Sequence, residues 1–412
     1  MRQTPVLLLT GYLGSGKTTL VNRILGNRRN IKFAVIVNDI GEVNIDAGLI
    51  QKGGVVTKGD DSLVALQNGC ICCTLQNDLL AQLNGITKSG KFDYIVIEAS
   101  GVCEPEPIAQ AICSIPLMGP GAAASDHPRL DCIVTVVDAL RIKSEFECGD
   151  SLTKEKLDEE DIENLIIQQI EFCNIILLNK ASEVRPEELE RVKHIIRTLQ
   201  PKAEIIECDY ADIDLGRVLD TRLFDFERVV TSARWIQEIE RPVTEEEQHE
   251  AKHHRDHHAE HEHPHLDEDE GGHGHGHHHH HHHHGEGEAE EYGISTFVYY
   301  RRQPFDINFF DHFVAKKWPR EVIRTKGVCY FAHNRDMSFL FEQAGVQKTL
   351  RGSGMWYATA NGEELEQLMR QNPDMMRDWD DTYGDRMIKL VFIGQHLDRE
   401  KITAELDMCL AQ

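Results

Sequence analysis

At 412 residues with 41% hydrophobic side chains, the chain has room for two or three ordinary cores. Its 69 Asp and Glu outnumber 44 Lys and Arg, for a net charge of −25. So acidic a chain excludes nucleic acid and anionic membrane surfaces as partners, because both are bound through basic faces. No apolar run reaches the roughly 18 residues needed to span a bilayer, and the opening MRQTPVLLLTGYLGSGK carries no small-residue cleavage site. The expected location is therefore the cytoplasm, where thiols stay reduced.

In chain order, PVLLLTG is a short continuous apolar run followed by a helical KTTLVNRILGN. KFAVIVND, FDYIVIEASG, DCIVTVVDA and CNIILLNK come next, each rich in Val and Ile, of strand length, and bounded by polar or glycine positions. Apolar runs that are continuous rather than alternating predict strands buried on both faces, and so an α/β domain with a mostly parallel sheet. From Arg241 to Glu291 the composition changes abruptly, with 15 Asp and Glu, 3 Lys and Arg, and 18 of the 23 histidines, eight of them consecutive from His277 to His284. Such a stretch cannot bury enough apolar surface to offset its ordering entropy and is expected to be a disordered linker over residues 241–291. It divides an N-terminal domain, residues 1–225, from a smaller α+β domain, residues 292–412. Within the latter, TANGEELEQLMRQNP has the spacing of an amphipathic helix with solvated charges, and Trp318, Trp356 and Trp379 are expected in a core or an interface.

The sharpest motif follows the first strand. Gly11, Gly14, Ser15, Gly16, Lys17, Thr18 and Thr19 in GYLGSGKTT satisfy the phosphate-loop pattern between a strand and a helix. Glycines let backbone amides curl around phosphates, the helix N-terminus adds partial positive charge, Lys17 reaches the β and γ phosphates, and the Thr18 hydroxyl can ligate Mg²⁺. Glu98, closing the strand in YIVIEASG, stands where an acid holds Mg²⁺ or orients water, with Gly101 placed to sense a γ-phosphate. Lys17 and Glu98 are the expected catalytic residues. Asn179 and Lys180 in LLNKAS resemble the NKxD signature, whose acid forks to the N1 and N2 donors of guanine. Ser182 holds the acid position and Glu183 follows it, so GTP is expected as the substrate with ATP left open.

GCICC then places Cys70, Cys72 and Cys73 within four positions. Three thiolates can hold one Zn²⁺ at about 2.3 Å each, leaving a fourth position open, which suits transfer better than a closed structural knuckle. Glu42, with Asp39 or Asp46, falls where a switch segment could complete the shell. Buried structural cysteines and a redox pair are the alternatives, though adjacent Cys72 and Cys73 would form only a strained disulfide. Cys103, Cys113 and Cys132 read as small core residues, and His127 as a solvated loop residue that could face a metal. The histidine tract reads as a native reservoir for Zn²⁺, Co²⁺ or Ni²⁺, since imidazoles are mostly neutral at pH 7.

In order along the chain, LLLTGYLGSGKTTLVNRIL, NDIGEVNID, NGCICCTLQNDL, IEASGVCEP, IVTVVDA and LLNK resemble the CobW family of P-loop GTPases, relatives of HypB and UreG, and VIRTKGVCYF and RMIKLVFIGQHLDREKITAELDMCL are similar to that family's C-terminal domain. The resemblance covers nearly everything except the histidine linker. It implies GTP, Mg²⁺ and Zn²⁺ as cofactors, and coupling of GTP hydrolysis to delivery of a metal to client proteins. A homodimer is allowed for. A metal buffer with a regulatory nucleotide site, or a maturation factor for a cobalt or iron enzyme, is the alternative.

Overall fold

The computed structural model describes residues 3–26, 31–37, 63–65, 76–117, 126–145, 160–244, 247–248, 293–345, 347–371 and 378–411. They form two compact units, one of residues 1–237 with 344–347 and one of residues 238–343 with 348–412.

The first unit is built on β1 (Gln3–Thr10), fully buried from Val6 to Leu9, which runs through the glycine loop into α1 (Lys17–Leu25). The remaining strands are β2 (Phe33–Val37), β3 (Leu63–Ala65), β4 (Tyr94–Glu98), β5 (His127–Asp138), β6 (Ile175–Asn179) and β7 (Glu204–Cys208). Among them run α2 (Gln76–Ser89), α3 (Pro105–Ser114), α4 (Ala139–Glu145), α5 (Glu160–Glu171) and α6 (Pro186–Leu199). The seven strands lie in the order β3-β2-β4-β1-β5-β6-β7, and every pairing is parallel. β2, β4 and β6 are buried at every position, as continuous apolar runs require when helices cover both faces of a sheet.

α6 shows what makes those covering helices. Pro186 opens it, Glu187 and Glu188 face the positive end of its dipole, and Arg197 lies in the last turn. Leu189, Val192, Ile195, Ile196 and Leu199 recur at helical spacing and are its buried stripe.

The sequence reading found all five inner strands and missed the two edges. β3 is three residues long, and β7 alternates, EIIEC, with Glu204 and Glu207 exposed. An edge strand has only one covered neighbour and so carries a weaker apolar signal.

The second unit contains a five-stranded sheet in the order β11-β10-β9-β12-β8, formed by β8 (Ile294–Arg301), β9 (Val322–Phe331), β10 (Asn334–Ala344), β11 (Gln347–Met355) and β12 (Ile388–Gln395). β12 is antiparallel to both of its neighbours. Helices over Ile307–Lys316, Gly362–Gln371 and Arg399–Asp407 complete an α+β domain with an aromatic core. Trp356 belongs to that core and Trp318 packs against it, 5.8 Å from Phe392 between ring centroids. Residues 241–244 and 247–248 are described, with Arg241 bonded to Glu238 and Glu247; the histidine tract lies outside the described residues.

Candidate functional site

The glycines of the loop after β1 are demanded by backbone geometry. Gly11, Gly14 and Gly16 have φ of 133°, 76° and 114°, in the region that side chains with a Cβ avoid. Space adds to this at two of them. A Cβ on Gly11 would stand 2.2 Å from the Val136 carbonyl oxygen, and one on Gly16 2.4 Å from the Asn179 amide nitrogen. Lys17 is 6% exposed, and its ammonium folds back to donate to the Tyr12 carbonyl at 3.3 Å. Ser15 is buried, and among the described residues its hydroxyl has no hydrogen-bond partner. Thr19 is exposed on the first turn of α1.

Thr18 and Glu98 meet across the carboxyl ends of β1 and β4, the hydroxyl donating to Glu98 Oε1 at 2.8 Å. Glu98 is fully buried. Gly101 packs so closely on the loop that a Cβ would stand 2.7 Å from the Leu13 nitrogen. Buried Gln169 of α5 fixes that contact, donating to the carbonyls of Gly101 at 3.2 Å and Cys103 at 3.1 Å. Its own carbonyl accepts from the Thr135 hydroxyl of β5, which lies 2.8 Å from that of Thr10. A narrow pocket behind the loop is lined by Tyr12, Leu13, Ser15, Asp138, Arg141 and Gln169, with the Arg141 guanidinium over the Tyr12 ring.

Asn179 is the hub of the other side. Its amide donates to the Ser15 carbonyl at 2.7 Å, and its side-chain oxygen accepts from the Ala211 amide at 3.0 Å, so one buried side chain ties the phosphate loop, β6 and the turn after β7. Lys180, with φ of 60°, pairs with Asp138 at the end of β5. The Ser182 hydroxyl and amide both donate to Asp209 Oδ1, at 2.9 and 3.1 Å. Glu183 is exposed in the same short turn.

Gln169, Asp138, Asp209 and Ala211 were absent from the sequence reading. Asp138 could have been found, since it closes an apolar run and ligands of parallel sheets gather at strand carboxyl ends. The others depend on which elements become neighbours.

The proposed metal ligands Cys70, Cys72, Cys73 and Glu42, with Asp39 and Asp46, lie outside the described residues. Among the described residues no group of three or more His, Cys, Asp or Glu could hold an ion. Cys103 and Cys132 are fully buried and Cys113 half-buried, as core cysteines would be. Burial pushes the Cys208 thiol up to about 11, a poor starting point for a thiolate ligand. His127 is not in a loop. It opens β5, in register with Gln3, whose amide lies 3.2 Å from its Nε2 at the amino end of the sheet, away from the phosphate loop.

The residues fit a Mg²⁺-bound nucleotide. The loop is a cradle that a Cβ would fill at Gly11 and Gly16, Ser15 supplies an unused buried donor, and Thr18 with Glu98 offers the hard oxygen ligands that Mg²⁺ prefers.

Residues 5–207 match the CobW/HypB/UreG nucleotide-binding domain, and residues 294–410 match the cobalamin synthesis protein CobW C-terminal domain. Zinc-regulated GTPase metalloprotein activator 1 of Dictyostelium discoideum is 32% identical over 421 residues, covering 98% of this chain and 79% of that protein. Zinc chaperone YjiA of Escherichia coli is 32% identical over 240 residues, covering 57% of this chain and 66% of that protein. Among solved structures, Zn(II)-bound YjiA GTPase from E. coli aligns over 100% of both chains at 20% identity, with a TM-score of 0.40.

Proposed function

Because the chain belongs to the CobW/HypB/UreG family, we propose that it hydrolyses GTP at Lys17 and Glu98 and uses the nucleotide to control zinc bound by Cys70, Cys72 and Cys73, for delivery to a metal-requiring client protein in the cytoplasm. The zinc and the GTPase activity named for the relatives support the cargo and the fuel. Among the described residues no helix is long and apolar enough to cross a membrane.

One register row carries the reading. Ala65 pairs with Val37, and Val37 with Glu98. Neighbouring strands are about 4.8 Å apart, so Ala65 lies about 10 Å from Glu98. The chain leaves that row after Val37 toward Glu42, and after Ala65 toward the three cysteines. The strands that precede the two segments proposed to bear metal therefore end at the carboxyl edge of the sheet, the same edge at which Glu98 closes the inner strand β4.

At that edge the loop amides and the Lys17 ammonium bind the β and γ phosphates, where negative charge grows during hydrolysis. Thr18 and Glu98 would hold Mg²⁺, which supplies charge neutralisation when bound. The Gly101 segment, pinned by Gln169, brings a backbone amide to the γ-phosphate side. Loss of the γ-phosphate removes the group that Gly101 faces, and the reading is that this change alters the ligand set offered to zinc.

The test is zinc release to a chromophoric chelator from zinc-loaded protein lacking residues 249–284. GTP with Mg²⁺ should accelerate release, and Lys17→Ala should remove the acceleration. Equal release with GTP, with GDP and without nucleotide overturns the reading.

A further inference from the structure

Base selection poses a problem that the phosphate loop does not solve. Guanine is told from adenine by an acceptor pair facing its N1–H and 2-amino group, and a carboxylate supplies both acceptors. Residue 182, where that carboxylate is expected, is a serine. Its hydroxyl is already committed, donating to Asp209 Oδ1 at 2.9 Å beside the backbone amide at 3.1 Å.

A carboxylate is nonetheless at the place. Asp209 follows Cys208, the register partner of Asn179 at the carboxyl ends of β6 and β7, so it enters the turn of residues 180–183 from the adjacent strand. Among the described residues its Oδ1 takes both hydrogen bonds, which leaves Oδ2 open, and the residue is half-buried. The turn that presents it is unusual. Tyr210 and Ala211, two consecutive residues that are not glycine, both have φ of 52°. Such residues are strained and persist only where their surroundings impose them. Here those surroundings are named contacts. The Ala211 amide is held by Asn179 Oδ1 at 3.0 Å, and the Tyr210 carbonyl by Arg23 Nε at 2.7 Å, while Arg23 also pairs with Asp212 at 2.6 Å. Asn179 thus fixes the phosphate loop with one end of its amide and the Asp209 turn with the other.

We propose that Asp209 is the base-reading acid of this protein, the two lone pairs of its open Oδ2 accepting from guanine N1–H and the 2-amino group in place of residue 182, and that Ser182, by holding Oδ1, is its positioning residue. The assignment rests on the nucleotide-hydrolysing reading and deepens it to a guanine nucleotide. Adenine presents a lone pair at N1, which a carboxylate repels. Xanthine keeps the N1–H but carries an oxygen at C2, so it suits an amide that can donate there.

The experiment is competitive equilibrium binding of GDP, XDP and ADP to the full chain with Mg²⁺. The parent should prefer GDP. Asp209→Asn should lose about 10²-fold in GDP affinity and gain in XDP affinity until the preference inverts. Ser182→Ala should keep the parent's order but weaken GDP binding several-fold, less than Asp209→Asn does, and unchanged GDP affinity would remove Ser182 from its positioning role. The exchange Ser182→Asp with Asp209→Ser, which returns the acid to the chain position of the usual signature, should restore preference for GDP over XDP. Asp209→Asn binding GDP as the parent does, without a gain for XDP, overturns the assignment while leaving the hydrolase reading intact. If Asp209→Asn binds neither nucleotide, the exchanged pair decides, and its failure to recover GDP overturns the assignment. A parent that binds no guanine nucleotide removes both readings together.

Discussion

In the N-terminal domain the buried Glu98 and Asn179 close strands of the parallel sheet, and buried Lys17 opens the helix that follows the glycine loop. In the C-terminal sheet the buried polar side chains Arg324, Glu342 and Lys389 lie within strands and are completed by the chain itself. Arg324 donates to Glu342 at 2.7 Å, Lys326 and Arg351 join the same carboxylate at 3.2 and 2.8 Å, and Arg301 of β8 binds Asp407 with two guanidinium nitrogens. Lys389 donates to the carbonyls of Ile239 and Arg241, both at 2.7 Å, while burial pulls its ammonium down to about 8. The contrast separates two uses of buried polarity. Lys17, Glu98 and Asn179 stand around the proposed ligand site, whereas Arg324, Glu342 and Lys389 inside strands, with Arg301 at the end of β8, fix how one domain packs.

If that separation is right, the two sets should fail in different assays. Lys17→Ala removes a charge aimed at phosphates and no core packing, so kcat for GTP should fall by about 10³-fold. Its melting temperature without nucleotide should stay at the parent value, as scanning calorimetry would show. Turnover at the parent rate would remove Lys17 from the site.

Glu342→Gln should do the reverse. It leaves a fully buried guanidinium at Arg324 without its opposite charge, at about 3 kcal/mol of C-terminal stability, with GTP turnover unchanged below the melting transition. Three of the chain's four tryptophans, 318, 356 and 379, report that domain by fluorescence. The same residue gives the pH dependence. Burial pushes the Glu342 carboxyl up, but Arg324 and Lys326 outweigh it and hold it at about 2. Its folded value lies below the unfolded value of about 4.3, so its stabilisation is fully present above that pH and is lost as pH falls toward 2. Denaturant midpoints measured across that window should fall in the parent and stay flatter in Glu342→Gln. Parallel curves would contradict the pairing.

What could be read in advance follows the same division. The inner strands were legible because burial on both faces forces continuous apolar runs, and the phosphate loop because Gly11 and Gly16 are required by φ and by space. Glu98 was legible as an acid closing such a run. Asp138, Gln169 and Asp209 were not, since Lys180, Gly101 and Ser182 become their partners only once β5, α5 and β7 have taken their places in the fold. His127 was misplaced because pairing with Gln3 extends β5 beyond its apolar stretch, into residues with no strand signal of their own.

The central claim is that the nucleotide at Glu98 and the metal at Cys70, Cys72 and Cys73 are energetically coupled. The direct measurement is a zinc titration against a competing chromophoric chelator, on protein lacking residues 249–284, in the GDP state and with a nonhydrolysable GTP analogue, with Cys72→Ser as control. Coupling of roughly 1 to 3 kcal/mol is typical of linked sites, so the two zinc affinities should differ by about 5- to 150-fold, and zinc should change the affinity ratio of the two nucleotides by the same factor. Identical zinc affinities in the two states would make GCICC a static site and contradict the account.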